Sequence, residues 1–144
     1  MIVVDTSAIV AIWKGEPEAG ALETRLSEEG LDERRMSSAT YIEVGTVVAG
    51  GVLHDPFGAI RELEAWLAKY AIEIVPFDAG QARIALDARI RYGRGFRASA
   101  KLNLGDCFSY ALAKTLNAPL LYIGDDFDKT DVRSALRRRS GRRK

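Results

Sequence analysis

The sequence predicts an α/β fold, a three-layer α/β/α sandwich around a mostly parallel central sheet. Three observations carry this. The runs Ile2-Val3-Val4, Ile72-Glu73-Ile74-Val75 and Leu120-Leu121-Tyr122-Ile123 have the length and apolar content of strands, not of helices. Stretches of helical periodicity separate them, the alternation that lays strands in parallel with helices on both faces. No internal repeat and no linker interrupts residues 1–132, and 144 residues at 47% hydrophobic content suffice for one core.

Each element has its own signal. After Ile2–Val4, Asp5-Thr6-Ser7 leads into a helix through Ala8-Ile9-Val10-Ala11-Ile12-Trp13. Residues 16–29 read as a second helix, with Ala19, Leu22 and Leu26 on one face and Gly30 ending it. Arg34-Arg35-Met36-Ser37 is a short strand. Ser37 or Ser38 then caps a helix running to Gly50. Asp55-Pro56 opens the next helix, whose stripe is Ile60, Leu63, Leu67 and Tyr70. Beyond the strand ending at Pro76, Asp78-Ala79-Gly80-Gln81 has the form of a capping box and starts a helix to Tyr92. Asn103 or Gly105 starts another, with Phe108, Ala111, Leu112 and Thr115 as its expected inner face. Asn117-Ala118-Pro119 breaks the chain before the final strand, which ends at Gly124-Asp125-Asp126-Phe127.

Composition narrows the chemistry. One cysteine, Cys107, allows no internal disulfide, and a reducing cytoplasm fits. A single histidine, His54, disfavours imidazole-based zinc sites and paired-histidine ribonuclease chemistry. Asp5 interrupts the first apolar run, and no run reaches the ~20 residues of a membrane span, so neither a leader nor a membrane location is expected. The net charge of +1 conceals an asymmetry: 7 of the 21 basic residues follow Val132, leaving 14 against 20 acidic ones, or −6, before it. The expected division is a domain over 1–132 and a disordered basic tail over 133–144, either a solubilising end or a phosphate-binding arm. Arg89, Arg91, Arg94, Arg97 and Lys101 form a second basic strip, either solvated or in contact with phosphates.

Four acidic positions stand out. Ligands of open α/β sheets bind beyond the carboxyl ends of the strands, where Asp5 and Asp125 or Asp126 fall. Asp106 begins a buried helix, and Glu43 is bracketed by apolar neighbours with no basic residue at i±3 or i±4. Each has an ordinary reading: a helix cap for Asp5, a dipole charge for Asp106, a helix edge for Glu43. Gathered along one rim, they instead raise one another's pKa, a conflict that a divalent cation resolves. All-oxygen ligands suit Mg²⁺, with Mn²⁺ an alternative. Such ions activate water and steady the leaving oxygen of a phosphodiester, and hydrolysis by water leaves a 5′-phosphate and a 3′-hydroxyl. Gly124 lets the backbone turn, which puts Asp125 nearest the rim and leaves Asp126 to cap the turn. Strand-end aspartates also occur in receiver-type signalling domains. Those need an acidic pair after the first strand and a lysine after the last, where this chain has Asp5 alone and Gly124-Asp125. A non-catalytic nucleic-acid or partner-binding module would use only the basic strips.

The segments MIVVDTSAIVA, SATYIEV, LNLGDCFSYALAK and LLYIGDDFDKTDV resemble, in order, those of the PIN-domain family, specifically VapC-type toxins of bacterial toxin–antitoxin pairs. The resemblance implies a cytoplasmic Mg²⁺-dependent ribonuclease inhibited by a cognate antitoxin, and a homodimer. It implies an acidic site of Asp5, Glu43, Asp106 and Asp125 (or Asp126), with Asp5 and Asp106 as direct metal ligands. Thr6 and Ser7 are expected to steady the first carboxylate. Trp13, Phe57 and Trp66 exceed what a small core must hold and hint at the interface. One departure is Ala98-Ser99-Ala100, where relatives carry His-Pro-Ala.

Overall fold

The computed structural model describes residues 1–96 and 99–136. Four strands, β1 (Ile2–Val4), β2 (Arg34–Ser37), β3 (Glu73–Val75) and β4 (Leu120–Leu121), form one sheet in the order β3-β2-β1-β4. Every pairing is parallel, with Val3 opposite both Arg35 and Leu120. The helices are α1 (Thr6–Trp13), α2 (Ala19–Ser27), α3 (Ser38–Gly50), α4 (Pro56–Lys69), α5 (Ala79–Tyr92) and α6 (Leu104–Leu116).

Strand side chains alternate between faces, and the two cores follow that period. Ile2, Val4, Met36 and Leu121 pack with α1, α2, α3 and α4 on one face. Val3 and Leu120 pack with α5 and α6 on the other. The three-layer expectation therefore holds, and the parallel sheet is buried from both sides, as crossover helices require.

Local chemistry explains the boundaries. Asp5, Ser37, Asp55, Asp78 and Asn103 each cap a helix by accepting a backbone N–H. Helix α2 starts three residues later than expected, because Glu16 and Pro17 lie in a turn and Glu18 makes no side-chain cap. The expected capping box at Asp78 is only half formed: Gln81 N–H donates to Asp78, but the Gln81 amide donates to the Pro76 carbonyl. β4 is shorter than the apolar run because Ile123 N–H leaves the ladder and donates to the Ser7 hydroxyl at 3.2 Å. In α6, Thr115 is exposed, while Cys107 and Ser109 through Ala113 are buried. Wedged between the sheet, α5 and α3, this helix buries far more than one stripe.

The ordered unit runs past Val132. Leu120 N–H donates to Arg133 and Ala135 N–H donates back to Leu120, both at 2.8 Å, adding a short parallel segment outside β4. Ala135 is 3% exposed, and its carbonyl accepts from Arg25 Nε at 2.7 Å. Residues 133–136 thus belong to the fold and not to a tail. The rest of the expected tail, 137–144, lies outside the described residues. Trp13 and Trp66 are also inward-facing, stacked edge to face at 6.4 Å, and of the three aromatics set aside for an interface only Phe57 is exposed, at 78%.

Candidate active site

Asp5 follows β1 directly, where a parallel strand delivers its next residue to the crevice at the sheet's carboxyl edge. It is 2% exposed. Its Oδ2 accepts from Ser7 N–H at 3.1 Å and from the Ser7 hydroxyl at 2.6 Å. The Ser109 hydroxyl of α6 also donates to it, and Ser109 in turn meets the Thr40 hydroxyl of α3 at 3.2 Å. Asp5 therefore caps α1 and is tied to three elements.

Thr6 serves a second carboxylate besides the expected one. Its hydroxyl donates to Glu43 Oε1 at 2.9 Å, while its N–H faces Asp5. Glu43 points inward from α3, not out to solvent, and its Oε2 lies against the α-carbon of Gly105 in the first turn of α6. A β-carbon there would collide with it. Asp106, the N3 residue of α6, completes a capping box: its backbone N–H donates to Asn103 Oδ1 at 2.8 Å and its Oδ2 accepts from Asn103 N–H at 3.0 Å.

These carboxylates sense one another. Burial pushes Asp106 up to about 7, and the charges of Asp5, Asp126 and Glu43 add to the rise. Burial likewise raises Asp5, against the hydrogen bonds that it accepts. Burial and the Asp5 charge raise Glu43, against the bond from Thr6. Among the described residues, none of the three forms an ion pair.

Both aspartates after β4 stay near the cleft. Gly124 turns the chain at φ +88°, and Phe127 packs into the core at 2% exposed, as expected. Asp126, however, is the carboxylate whose charge reaches Asp106. Asp125 accepts Asp128 N–H at its backbone carbonyl, and Asp125 and Asp126 line a polar notch with Lys101 and Lys129.

The donor set fits a hard divalent cation: oxygen atoms only, excess negative charge, no ion pair to Asp5, Glu43 or Asp106 among the described residues, and a glycine that admits Glu43. Among the described residues no three acidic, histidine or cysteine side chains stand together as a finished ion cage. Asp5, Asp106 and Glu43 would have to converge on an ion as it binds.

Sequence reasoning missed Ser109, Thr40 and Gly105. Ser109 was readable as a small polar residue one turn from Asp106 on an otherwise apolar face. The roles of Thr40 and Gly105 depend on how α3 packs on α6, which no local pattern reveals. In the basic strip, Arg89 donates to the Arg94 carbonyl at 2.7 Å and lies over the Phe96 ring, and Arg91 pairs with Asp87 at 2.9 Å. These two are therefore committed to structure; Arg97 lies outside the described residues. No helix of the described residues is long and apolar enough to cross a membrane.

Comparison with known proteins bears on this geometry. The PIN domain family matches residues 2–133. The chain is 46% identical over 131 residues to "Ribonuclease VapC" of Mycolicibacterium smegmatis, covering 91% of this chain and 97% of that protein. It is 43% identical over 131 residues to "Ribonuclease VapC30" of Mycobacterium tuberculosis, covering 91% and 95%. The fold resembles the crystal structure of M. tuberculosis VapC20, described as a sarcin-ricin loop cleaving toxin, with a TM-score of 0.71 at 16% identity over 92% of this chain and 96% of that one. It also resembles FitAcB from Neisseria gonorrhoeae, at 0.68 and 22% over 93% and 96%.

Proposed function

This chain belongs to the PIN-domain family of VapC ribonucleases, and from that premise we propose that it is a Mg²⁺-dependent ribonuclease toxin held in check by a cognate antitoxin. The observation that carries the reading is the convergence of Asp5, Glu43 and Asp106 from three separate elements, close enough for Asp5 to raise Glu43 and for both to raise Asp106, with no ion pair to any of them among the described residues.

Asp5 and Asp106 are the direct ligands in this reading, with Glu43 and one aspartate of the Asp125-Asp126 pair completing the acidic ring. A bound Mg²⁺ or Mn²⁺ supplies Lewis acidity, lowering the pKa of water and steadying the oxygen that leaves the phosphorus. The chain's own groups do the positioning. Ser7 and Ser109 hold the Asp5 carboxylate in one orientation by donating to it. Thr6 fixes Glu43 Oε1 and leaves Oε2 at Gly105 to accept a proton from water. The capping box holds one Asp106 oxygen on Asn103 N–H, leaving the other for the cleft. With a single histidine, His54, the chain has no pair of imidazoles to act on a ribose 2′-hydroxyl and its leaving oxygen. Water is then the nucleophile, and the products carry a 5′-phosphate and a 3′-hydroxyl.

An antitoxin that inserts a basic side chain among these carboxylates would neutralise the same charge that the ion does. Self-association would use the exposed apolar residues Ile42, Leu53 and Phe57 on and between α3 and α4.

The test is cleavage mapping on total RNA with Mg²⁺ titrated against chelator, with Asp5→Asn as control. Mg²⁺-dependent cuts bearing 5′-phosphates and absent with Asp5→Asn support the reading. Cuts that persist in chelator, or in Asp5→Asn at matched Mg²⁺, would overturn it.

A further inference from the structure

Beside the carboxylate cluster lies a notch of about 240 Å³ lined by Ser99, Ala100, Lys101, Asp125, Asp126 and Lys129. Its walls carry opposite charges that do not neutralise each other. Among the described residues neither Lys101 nor Lys129 forms an ion pair, although both share the notch with two aspartates. Elsewhere on the surface such partners do close up: Lys114 with Asp131 at 2.9 Å, Arg91 with Asp87 at 2.9 Å, Arg35 with Glu73 at 3.0 Å. Two lysines without ion pairs and two carboxylates lining one notch suit a ligand with both an anionic and a cation-binding side.

Neither lysine is on a loose loop. Lys101 precedes the fully buried Leu102, whose N–H donates to Tyr92 and whose carbonyl accepts from Arg94, both at 3.0 Å. Asn103 then caps α6 through Asp106, so only the capping turn separates Lys101 from the acidic cluster. Lys129 sits in a turn pinned by Thr130, whose N–H and hydroxyl both donate to the carbonyl of buried Phe127. These anchors fix the backbone positions from which the two lysine side chains reach, which lowers the ordering cost of a contact.

We infer that Lys101 and Lys129 seat a backbone phosphate of the RNA strand in this notch and thereby set which neighbouring phosphodiester reaches the carboxylates. This rests on the ribonuclease reading above. A phosphodiester offers oxygen atoms to ammonium groups on one side and, through a divalent cation, to the carboxylates on the other. Lysine is suited to this as a point charge that grips phosphate without reading a base. Asp126 connects the two halves, since it lines the notch and its charge reaches Asp106.

The test uses the full chain carrying Asp5→Asn, binding a fluorescent single-stranded RNA across a range of salt concentrations. Each phosphate contact on a single strand contributes about 0.7 to the slope of log affinity against log salt. Lys101→Ala and Lys129→Ala should each lower the slope by about 0.7, and Lys129→Arg should restore it. Lys14→Ala, an exposed lysine on α1's trailing edge, should leave it unchanged. Unaltered slopes in both alanine variants, or an equal loss in Lys14→Ala, would overturn the assignment while leaving the ribonuclease reading intact. If neither the unaltered chain in chelator nor the Asp5→Asn chain in Mg²⁺ binds RNA at all, the ribonuclease reading falls, and this inference with it.

Discussion

The Glu43 carboxylate rests against the α-carbon of Gly105, across the contact between α3 and α6. Nothing larger than hydrogen fits there, so residue 105 sets where Glu43 can stand. Alanine is the better helix former by up to about 1 kcal/mol. Gly105→Ala should therefore keep or slightly raise the unfolding temperature while lowering turnover more than tenfold, because Glu43 is pushed off its bond to Thr6. Parallel unfolding and cleavage assays check this, and a fully active Gly105→Ala would show that Glu43 need not sit there.

The two aspartates after β4 should separate in activity. Sequence position favours Asp125 as the nearer to the cleft, but charge coupling to Asp106 runs through Asp126. Asp126→Asn is expected to cost at least tenfold more turnover than Asp125→Asn, with both folding normally since both side chains are exposed. Mg²⁺-dependent turnover of each variant, beside its melting curve, decides the order.

Ion-free stability should depend on pH with a definite sign. Asp106 titrates near 3.8 in the unfolded chain and at about 7 when folded. Between those values the folded state holds a proton that the unfolded chain has released, so raising the pH favours unfolding. Asp5 and Glu43 are raised too and add in the same direction. In chelator, the unfolding temperature should fall as pH rises from about 4 to about 7. Asp106→Asn should flatten that slope, and Mg²⁺ added at neutral pH should recover the loss by binding only the folded state.

Arg34 ties two helix ends together. At 6% exposed, its Nη1 donates to the Tyr70 carbonyl at 2.7 Å and its Nη2 to the Glu29 carbonyl at 2.9 Å. Those carbonyls close α4 and α2, where a cation also meets the favourable end of the helix dipole. Two charge-assisted bonds put the cost of Arg34→Ala at about 3 kcal/mol. Arg34→Lys should recover only part of it, because a single ammonium cannot reproduce the forked reach. Denaturant unfolding of both variants measures the difference.

What was legible in the sequence follows from how local each cause is. Asp55-Pro56, Ser37 and Asn103 cap helices through contacts within three residues, so those boundaries were readable. Asp5 stood out at a strand end, Asp106 at the start of a buried helix, and Glu43 as a carboxylate with no basic residue one turn away. Thr6 was assigned to Asp5 alone, which its N–H does reach; its hydroxyl's partner was hidden because it lies 37 residues away on α3. Thr115 misled for a related reason: a one-face pattern cannot anticipate a helix packed on several sides. Asp125 and Asp126 differ by one position at a turn, and side-chain direction there depends on how far β4 pairs, which Ser7 limits by taking Ile123 N–H.

The segment Arg133–Ala135, laid along Leu120, has a consequence for how copies of this chain behave in a crowded solution. A parallel sheet has two bare flanks, and each can recruit a strand from a neighbouring molecule. At β3 the flank is only three residues long and carries the charged Glu73, paired with Arg35. At β4 the chain's own end takes the place that a neighbour would take, and Arg25 fastens it there. Shortening the protein to residue 132 would strip that cover while leaving every site carboxylate in the chain. The shortened protein should clump by edge-to-edge strand addition, and light scattering would register it before any change in chemistry could.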